Sequence, residues 1–187
     1  MSTLRGGAED PGHRASAGAW AMVALQALLF LAVAVAAVTP PVGPRLWSSM
    51  WAGLALVIVG AVGVIMSGRH LGRALTPLPI PNGQGLAAHG AYRWVRHPMY
   101  TALVVICAGV ALSSGTPQSW AAVAAIAVFF AVKARLEERH LRVVYPGYAA
   151  YAATVGRFVP GLGTMRRGAD ADAVPRDEAA DGGEDRS

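Results

Sequence analysis

At 187 residues, with 54% hydrophobic and 14% charged residues, the chain is long enough for one domain but carries too little charge to cover a globular surface. That excludes an ordinary soluble domain, and a disordered chain would be poorer in hydrophobic residues. The formal charge of +5 comes from cations at the edges of apolar runs, without the interleaved aromatics of an RNA-reading motif, so it points to a membrane and away from nucleic acid.

The N-terminal arm, residues 1–16, is polar and is expected to be disordered. Arg14 and Arg45 then bracket an uncharged stretch whose helical part, about 17–38, is long enough to cross a hydrocarbon core of about 30 Å. It ends at Thr39-Pro40-Pro41. It is also longer than the apolar region of a signal peptide and lacks a convincing cleavage site. A second span is expected over about 46–66, where Gly53, Gly60 and Gly63 offer small faces for close packing. Pro98 to Val132 is uncharged but broken at Ser113-Ser114-Gly115-Thr116-Pro117, which predicts a helical hairpin with arms at 98–114 and 118–134. The lone cysteine, Cys107, lies in this stretch, so neither an intrachain disulfide nor a thiolate metal cluster is available. From about Thr164 the tail holds seven of the eleven acids and is expected to be disordered.

The expected fold is therefore all-α: a polytopic membrane helical bundle of about four transmembrane helices with a C-terminal hairpin, the membrane domain covering 17–163. Arg45 stands alone in the first short loop and the hairpin turn carries no cation, whereas the other fifteen of the sixteen Lys/Arg lie in the N-terminal arm, the 67–97 loop and the C-terminal third. By the positive-inside rule both termini are cytoplasmic. Fifteen arginines to one lysine, with abundant alanine, is the composition of a GC-rich bacterial gene, so the bacterial cytoplasmic membrane is the expected location.

Without its ends the chain changes character. Residues 17–163 hold ten Lys/Arg and two acids, Glu137 and Glu138, for a net of +8. Lys133 to Glu137 and Glu138 to Arg142 are i,i+4 pairs, as on a solvated ion-pair face. Adjacent residues on a helix point about 100° apart, however, so one glutamate is free to look elsewhere. If the hairpin turns near Gly115-Thr116, the pair comes level with Arg93 and Trp94, within a turn or two of Arg96, His97 and Tyr100. Arg96-His97-Pro98-Met99-Tyr100 also reads as a plain helix start with Pro98 in its first turn, and Tyr92 and Trp94 as interfacial anchors. The five histidines, His13, His70, His89, His97 and His140, show no helical ligand spacing, so no metal site is expected. Asn82-Gly83-Gln84-Gly85 follows Pro-rich sequence instead of a strand and reads as a turn.

The ordered set from Gly90 to Pro160 resembles the integral-membrane methyltransferases that include isoprenylcysteine carboxyl methyltransferases and phospholipid N-methyltransferases. It comprises Gly90-Ala91-Tyr92, Arg96-His97-Pro98-Met99-Tyr100, Glu137-Glu138, Leu141, Tyr145-Pro146, Tyr148, Tyr151, Val155 and Arg157-Phe158-Val159-Pro160. Ala102 stands where members often have glycine. The resemblance implies S-adenosylmethionine bound near the cytoplasmic face by His97, Tyr100, Glu137, Glu138 and Arg96. Tyr148 and Arg157 are weaker candidates for catalytic contacts, and Phe158 for the pocket. It also implies a lipophilic or small acceptor, a carboxylate, amine or thiol, reached from the lipid bilayer. A sulfonium donor already carries an activated methyl, so the protein has mainly to align the reactants and exclude water. A non-catalytic membrane interaction protein, or a membrane reductase using a nicotinamide cofactor, are the rival readings.

Overall fold

The computed structural model describes residues 11–71 and 90–165, with side chains over 18–69 and 90–165. These residues are helical throughout their regular elements: α1 (Pro11–Val38), α2 (Met50–Leu71), a 3-10 turn (Gly90–Arg93), α3 (Pro98–Ser114), α4 (Pro117–Val144) and α5 (Tyr148–Thr154). The distal tail, the first ten residues and the Asn82–Gly85 turn lie outside the described residues.

Three boundaries differ from expectation, each for a local reason. The backbone is already helical from Pro11, where the arm to Ser16 was expected to be disordered; proline suits a first turn and the alanines that follow favour a helix. α2 starts at Met50 because the preceding residues pair with the α3–α4 turn: Leu46 N–H donates to the Gly115 carbonyl (2.8 Å) and Ser49 N–H to that of Leu112 (3.1 Å). α4 runs ten residues past the expected end at Ala134, since Arg135 to Arg142 are mostly good helix formers and the stop comes at Pro146, with Tyr145 before it extended.

Among the described residues, three helices are long and apolar enough to cross a bilayer, at Gly18–Val38, Met50–Arg69 and Pro117–Val144. α3 keeps the expected bounds but has 17 residues, roughly 26 Å of helix against about 30 Å of hydrocarbon. It is a shorter apolar helix, laid along α2. The five tryptophans fall at the helix ends, Trp20 and Trp94 at one end of the bundle and Trp47, Trp51 and Trp120 at the other, as interfacial belts do. The chain is an integral membrane protein.

The α2–α3 contact is backbone against backbone. A Cβ added to Gly53 would lie 2.5 Å from the Gly109 carbonyl oxygen, and one added to Gly109 would lie 2.6 Å from that of Gly53. Farther along, the Ala102 methyl sits against Gly63, where an added Cβ would be 3.0 Å away. The extra methyl of Ala102 is thus taken up by a glycine on α2. On the other side, α1 packs on α4 and α3 around Val33, Cys107, Ala111, Val123, Ile126 and Phe130. At the bundle end remote from Glu138, Thr116 Oγ1 donates to the Ala36 carbonyl (3.0 Å) and Gln118 Nε2 to that of Pro40 (2.9 Å), tying the hairpin turn to the end of α1.

Gly109→Val should therefore destabilise by about 1–3 kcal/mol through overpacking. Gly18→Ala, whose Cβ meets nothing within 4 Å, should cost nothing and can gain up to about 1 kcal/mol of helix propensity. Thermal unfolding in detergent compares the two.

Candidate active site

The site lies where the start of α3 meets the last turns of α4. His97, with a non-helical backbone, stands at the N-cap, and Pro98 opens the helix as the first-turn residue. Residues 95–97 are flanked by the segment after α5: Val95 and Gly156 form a parallel bridge, Arg96 N–H donates to the Gly156 carbonyl (2.8 Å) and His97 N–H to that of Arg157 (3.0 Å). Thr101 Oγ1 donates to the Phe158 carbonyl at 2.9 Å. The segment folds back through Arg157 N–H to Leu162 carbonyl (2.8 Å), a turn so tight that a Cβ on Gly156 would lie 2.0 Å from the Val159 oxygen. Residues 155–165 thus form a hook closed over the start of α3.

Glu138 is the centre of this junction, with 0% exposure. Its Oε1 receives Arg96 Nε (3.0 Å) and Arg157 Nε (3.1 Å) and lies 3.3 Å from His97 Nε2, while its Oε2 receives Arg157 Nη2 at 2.6 Å. Three of these contacts crowd on Oε1 and one falls on Oε2, so the buried carboxylate is met from one side by two arginines and an imidazole. Arg96 spends its other donors on backbone carbonyls: Ala152 (2.7 Å), Val155 and Gly163 (2.8 Å). One arginine therefore pins α4, α5 and the hook together. The solvated i,i+4 face does not hold for Glu138, which is turned inward to these partners.

Glu137 points elsewhere, as two adjacent helical residues must. Its side chain is 30% exposed; Tyr100 Oη donates to its Oε2 at 2.9 Å, and His97 Nδ1 lies 3.7 Å from the same oxygen. His97 stacks flat on Tyr100 (centroids 5.3 Å apart) and Tyr100 on Phe130 (4.8 Å), with Phe158 tilted against His97 at 5.8 Å. The structure thus brings Arg96, His97, Tyr100, Glu137, Glu138, Arg157 and Phe158 together. Arg157, 23% exposed, reaches the surface of the cluster. His140 is apart from it, bonded to the Leu136 carbonyl, and the side chains of His13, His70 and His89 lie outside the described residues.

Tyr148 is buried beside this cluster, and its hydroxyl has no hydrogen-bond partner among the described residues. Two features escaped the reading of the sequence. Lys133, buried one turn deeper than Glu137, donates to Gln26 of α1 at 2.8 Å and lies 5.5 Å from the Tyr100 ring centre. Gln26 interrupts the apolar run of α1, a signal that could have been used. The carbonyls that hold Arg96 leave no trace in side-chain identity.

The sequence profile of phospholipid methyltransferases matches residues 48–147, from just before α2 to just after α4. The chain belongs to this family. Among curated relatives, the cobalt-zinc-cadmium resistance protein CzcN of Cupriavidus metallidurans is 28% identical over 130 residues, 66% of this chain and 58% of that protein. Protein-S-isoprenylcysteine O-methyltransferase A of Arabidopsis thaliana is 32% identical over 114 residues, 58% of this chain and 57% of that protein. The chain spans well under two thirds of the length of either relative. α1, with Gln26, and the hook lie outside the stretch that the family profile covers.

Removing the Glu138 charge would strand two arginines in a buried site, which costs about 3–5 kcal/mol. Glu138→Gln should therefore unfold at a much lower temperature than Glu137→Gln, whose carboxylate is partly solvated; melting of the purified variants checks the order. Burial and then the Glu137 charge push Tyr92 up to about 12, and burial pushes Tyr151 up to about 12 against the Arg96 charge. Burial, followed by the Glu138 charge, also raises Tyr148. Because the folded state keeps these protons longer than the unfolded chain, stability should hold up to about pH 10 and fall between 10 and 12. Tyrosinate absorbance should rise late, together with unfolding.

Proposed function

We propose that the protein transfers a methyl group from S-adenosylmethionine to a lipophilic or small acceptor at the cytoplasmic face of a bacterial inner membrane. The observation that carries this reading is the division of labour between the paired glutamates in a chain of the methyltransferase family: Glu138 buried and ion-paired with Arg96 and Arg157, Glu137 partly open. The residues fit a sulfonium nucleoside that also bears an ammonium and a carboxylate. Glu137 can accept from an ammonium or ribose hydroxyls, Arg157 offers the outer edge of its guanidinium to a carboxylate, and the Tyr148 hydroxyl still needs a partner.

When bound, the cofactor supplies a methyl whose bond to sulfur breaks as the bond to the acceptor forms, leaving a neutral thioether. The residues of the chain have the task of alignment. Glu138 and Arg96 act as positioning residues that hold His97 and Arg157, and Tyr100 fixes the Glu137 carboxylate. The aromatic wall of His97, Tyr100 and Phe158 excludes water on the membrane side, where a developing charge shift is then governed by fixed groups. The inward orientation follows from the cations at the site end, Arg93, Arg96, Arg135, Arg139, Arg142 and Arg157, against Arg45 at the other.

Calorimetric titration tests the reading. S-adenosylhomocysteine should bind the detergent-purified protein, and Glu137→Gln should weaken it by at least tenfold while the fold is kept. NADPH should give no heat. Binding of NADPH without S-adenosylhomocysteine would establish the reductase reading instead, and binding of neither would leave a non-catalytic interaction protein.

A further inference from the structure

Where α4 leaves its apolar run it carries Arg135, Arg139 and Arg142, all exposed. At 100° per residue the three fall within an arc of about 60° and cover about 10 Å of helix, so they form one stripe. Like charges a turn apart on a helix repel, and such a stripe costs stability unless an anion lies against it. The described part of the chain does not supply that anion. Its only acids are Glu137 and Glu138. Glu138 is turned into the junction with Arg96 and Arg157, and Glu137 takes the Tyr100 hydroxyl. Arg142, which spacing alone would pair with Glu138, loses that partner to the inward turn.

The rest of the same face indicates what covers the stripe. Val128 and Val132, both exposed, lie about 20° and 60° round α4 from Arg135, so one face passes from apolar to cationic over about 21 Å of helix. The valines belong to the apolar run and the arginines follow it, at the depth of the head groups. A partner that fits both parts has a hydrocarbon chain below an anionic head. Guanidinium forks match phosphate oxygens in pairs. The seven acids beyond Thr164 are a rival anion, but they bring nothing apolar to set against Val128 and Val132. We propose that this face of α4 binds one anionic phospholipid, its phosphate held by Arg135 and Arg139 with Arg142 at the outer edge, and one acyl chain laid along Val128 and Val132. The face is separate from the apolar cavity between α3 and α4, which Tyr100 and Ala127 line, because Ala127 points about 100° away from Val128. The lipid is therefore a bound partner and not the methyl acceptor, and the inference stands apart from the methyltransferase reading.

Native mass spectrometry tests this on the full chain, released from micelles that contain phosphatidylglycerol and phosphatidylcholine in equal amounts. A single phosphatidylglycerol adduct should exceed the phosphatidylcholine adduct at least fivefold. The double variant Arg135→Gln, Arg139→Gln should lower that preference at least fivefold, whereas Arg45→Gln, at the opposite end of the bundle, should leave it within twofold. Arg139→Lys keeps the charge without the fork and should lose at least half of the preference; it also serves should the double variant fold poorly. Equal adducts of the two lipids would overturn the proposal, as would a loss in Arg45→Gln as large as in the double variant. Full retention in Arg139→Lys would reduce the site to a diffuse positive surface and overturn it too. A fivefold rise in the adduct when the seven tail acids are changed to amides would show that the tail itself occupies the stripe, against the proposal.

Discussion

A carboxylate without access to water must be surrounded by donors, and at the end of a membrane helix those donors have to come from other segments of the chain. Glu138 meets this requirement with Arg96 and His97 from before α3 and Arg157 from beyond α5. The rest of the site depends on that arrangement. Arg96 carries the constraint onward to the carbonyls of Ala152, Val155 and Gly163, so the hook is closed by the same group that neutralises the glutamate. Together the two arginines and two glutamates balance in charge.

The second glutamate acquires its freedom from the first. Helix geometry turns Glu137 about 100° away from the junction, toward Tyr100 and the solvent side. Its oxygen is steadied by a phenol on a ring that is itself stacked between His97 and Phe130. That same ring also lines the apolar cavity between α3 and α4, so the polar cluster and the cavity share one wall. A side chain that moved Tyr100 would disturb both.

Much of this was legible in the sequence because it follows from spacing. The turn at Ser113–Pro117 sets the hairpin register, and the register alone brings Glu137 and Glu138 level with Arg96, His97 and Tyr100. The bounds of α3 were marked by Pro98 and Gly115, whose left-handed backbone closes the helix. What stayed hidden depends on tertiary contact. The different fates of Glu137 and Glu138 are decided by Arg157, nineteen residues on, through a hook made of backbone hydrogen bonds to which side-chain identity contributes little. The start of α2 likewise depends on hydrogen bonds to the opposite turn, and α4 outlasts its apolar run because charged residues continue a helix as well as apolar ones do. The sequence offered Lys133 as a surface partner of Glu137, and its inward turn stayed hidden because Gln26 is 107 residues away on α1.

The central claim is that Glu138 closes the hook onto the start of α3 through Arg96 and Arg157. Amide hydrogen exchange reads it most directly, at Arg96, His97 and Arg157, whose N–H groups bond to the carbonyls of Gly156, Arg157 and Leu162. In Glu138→Gln, compared with wild type, these three amides should lose protection together while the α2–α3 amides keep theirs. A variant in which the hook amides stay as protected as in wild type would contradict the account.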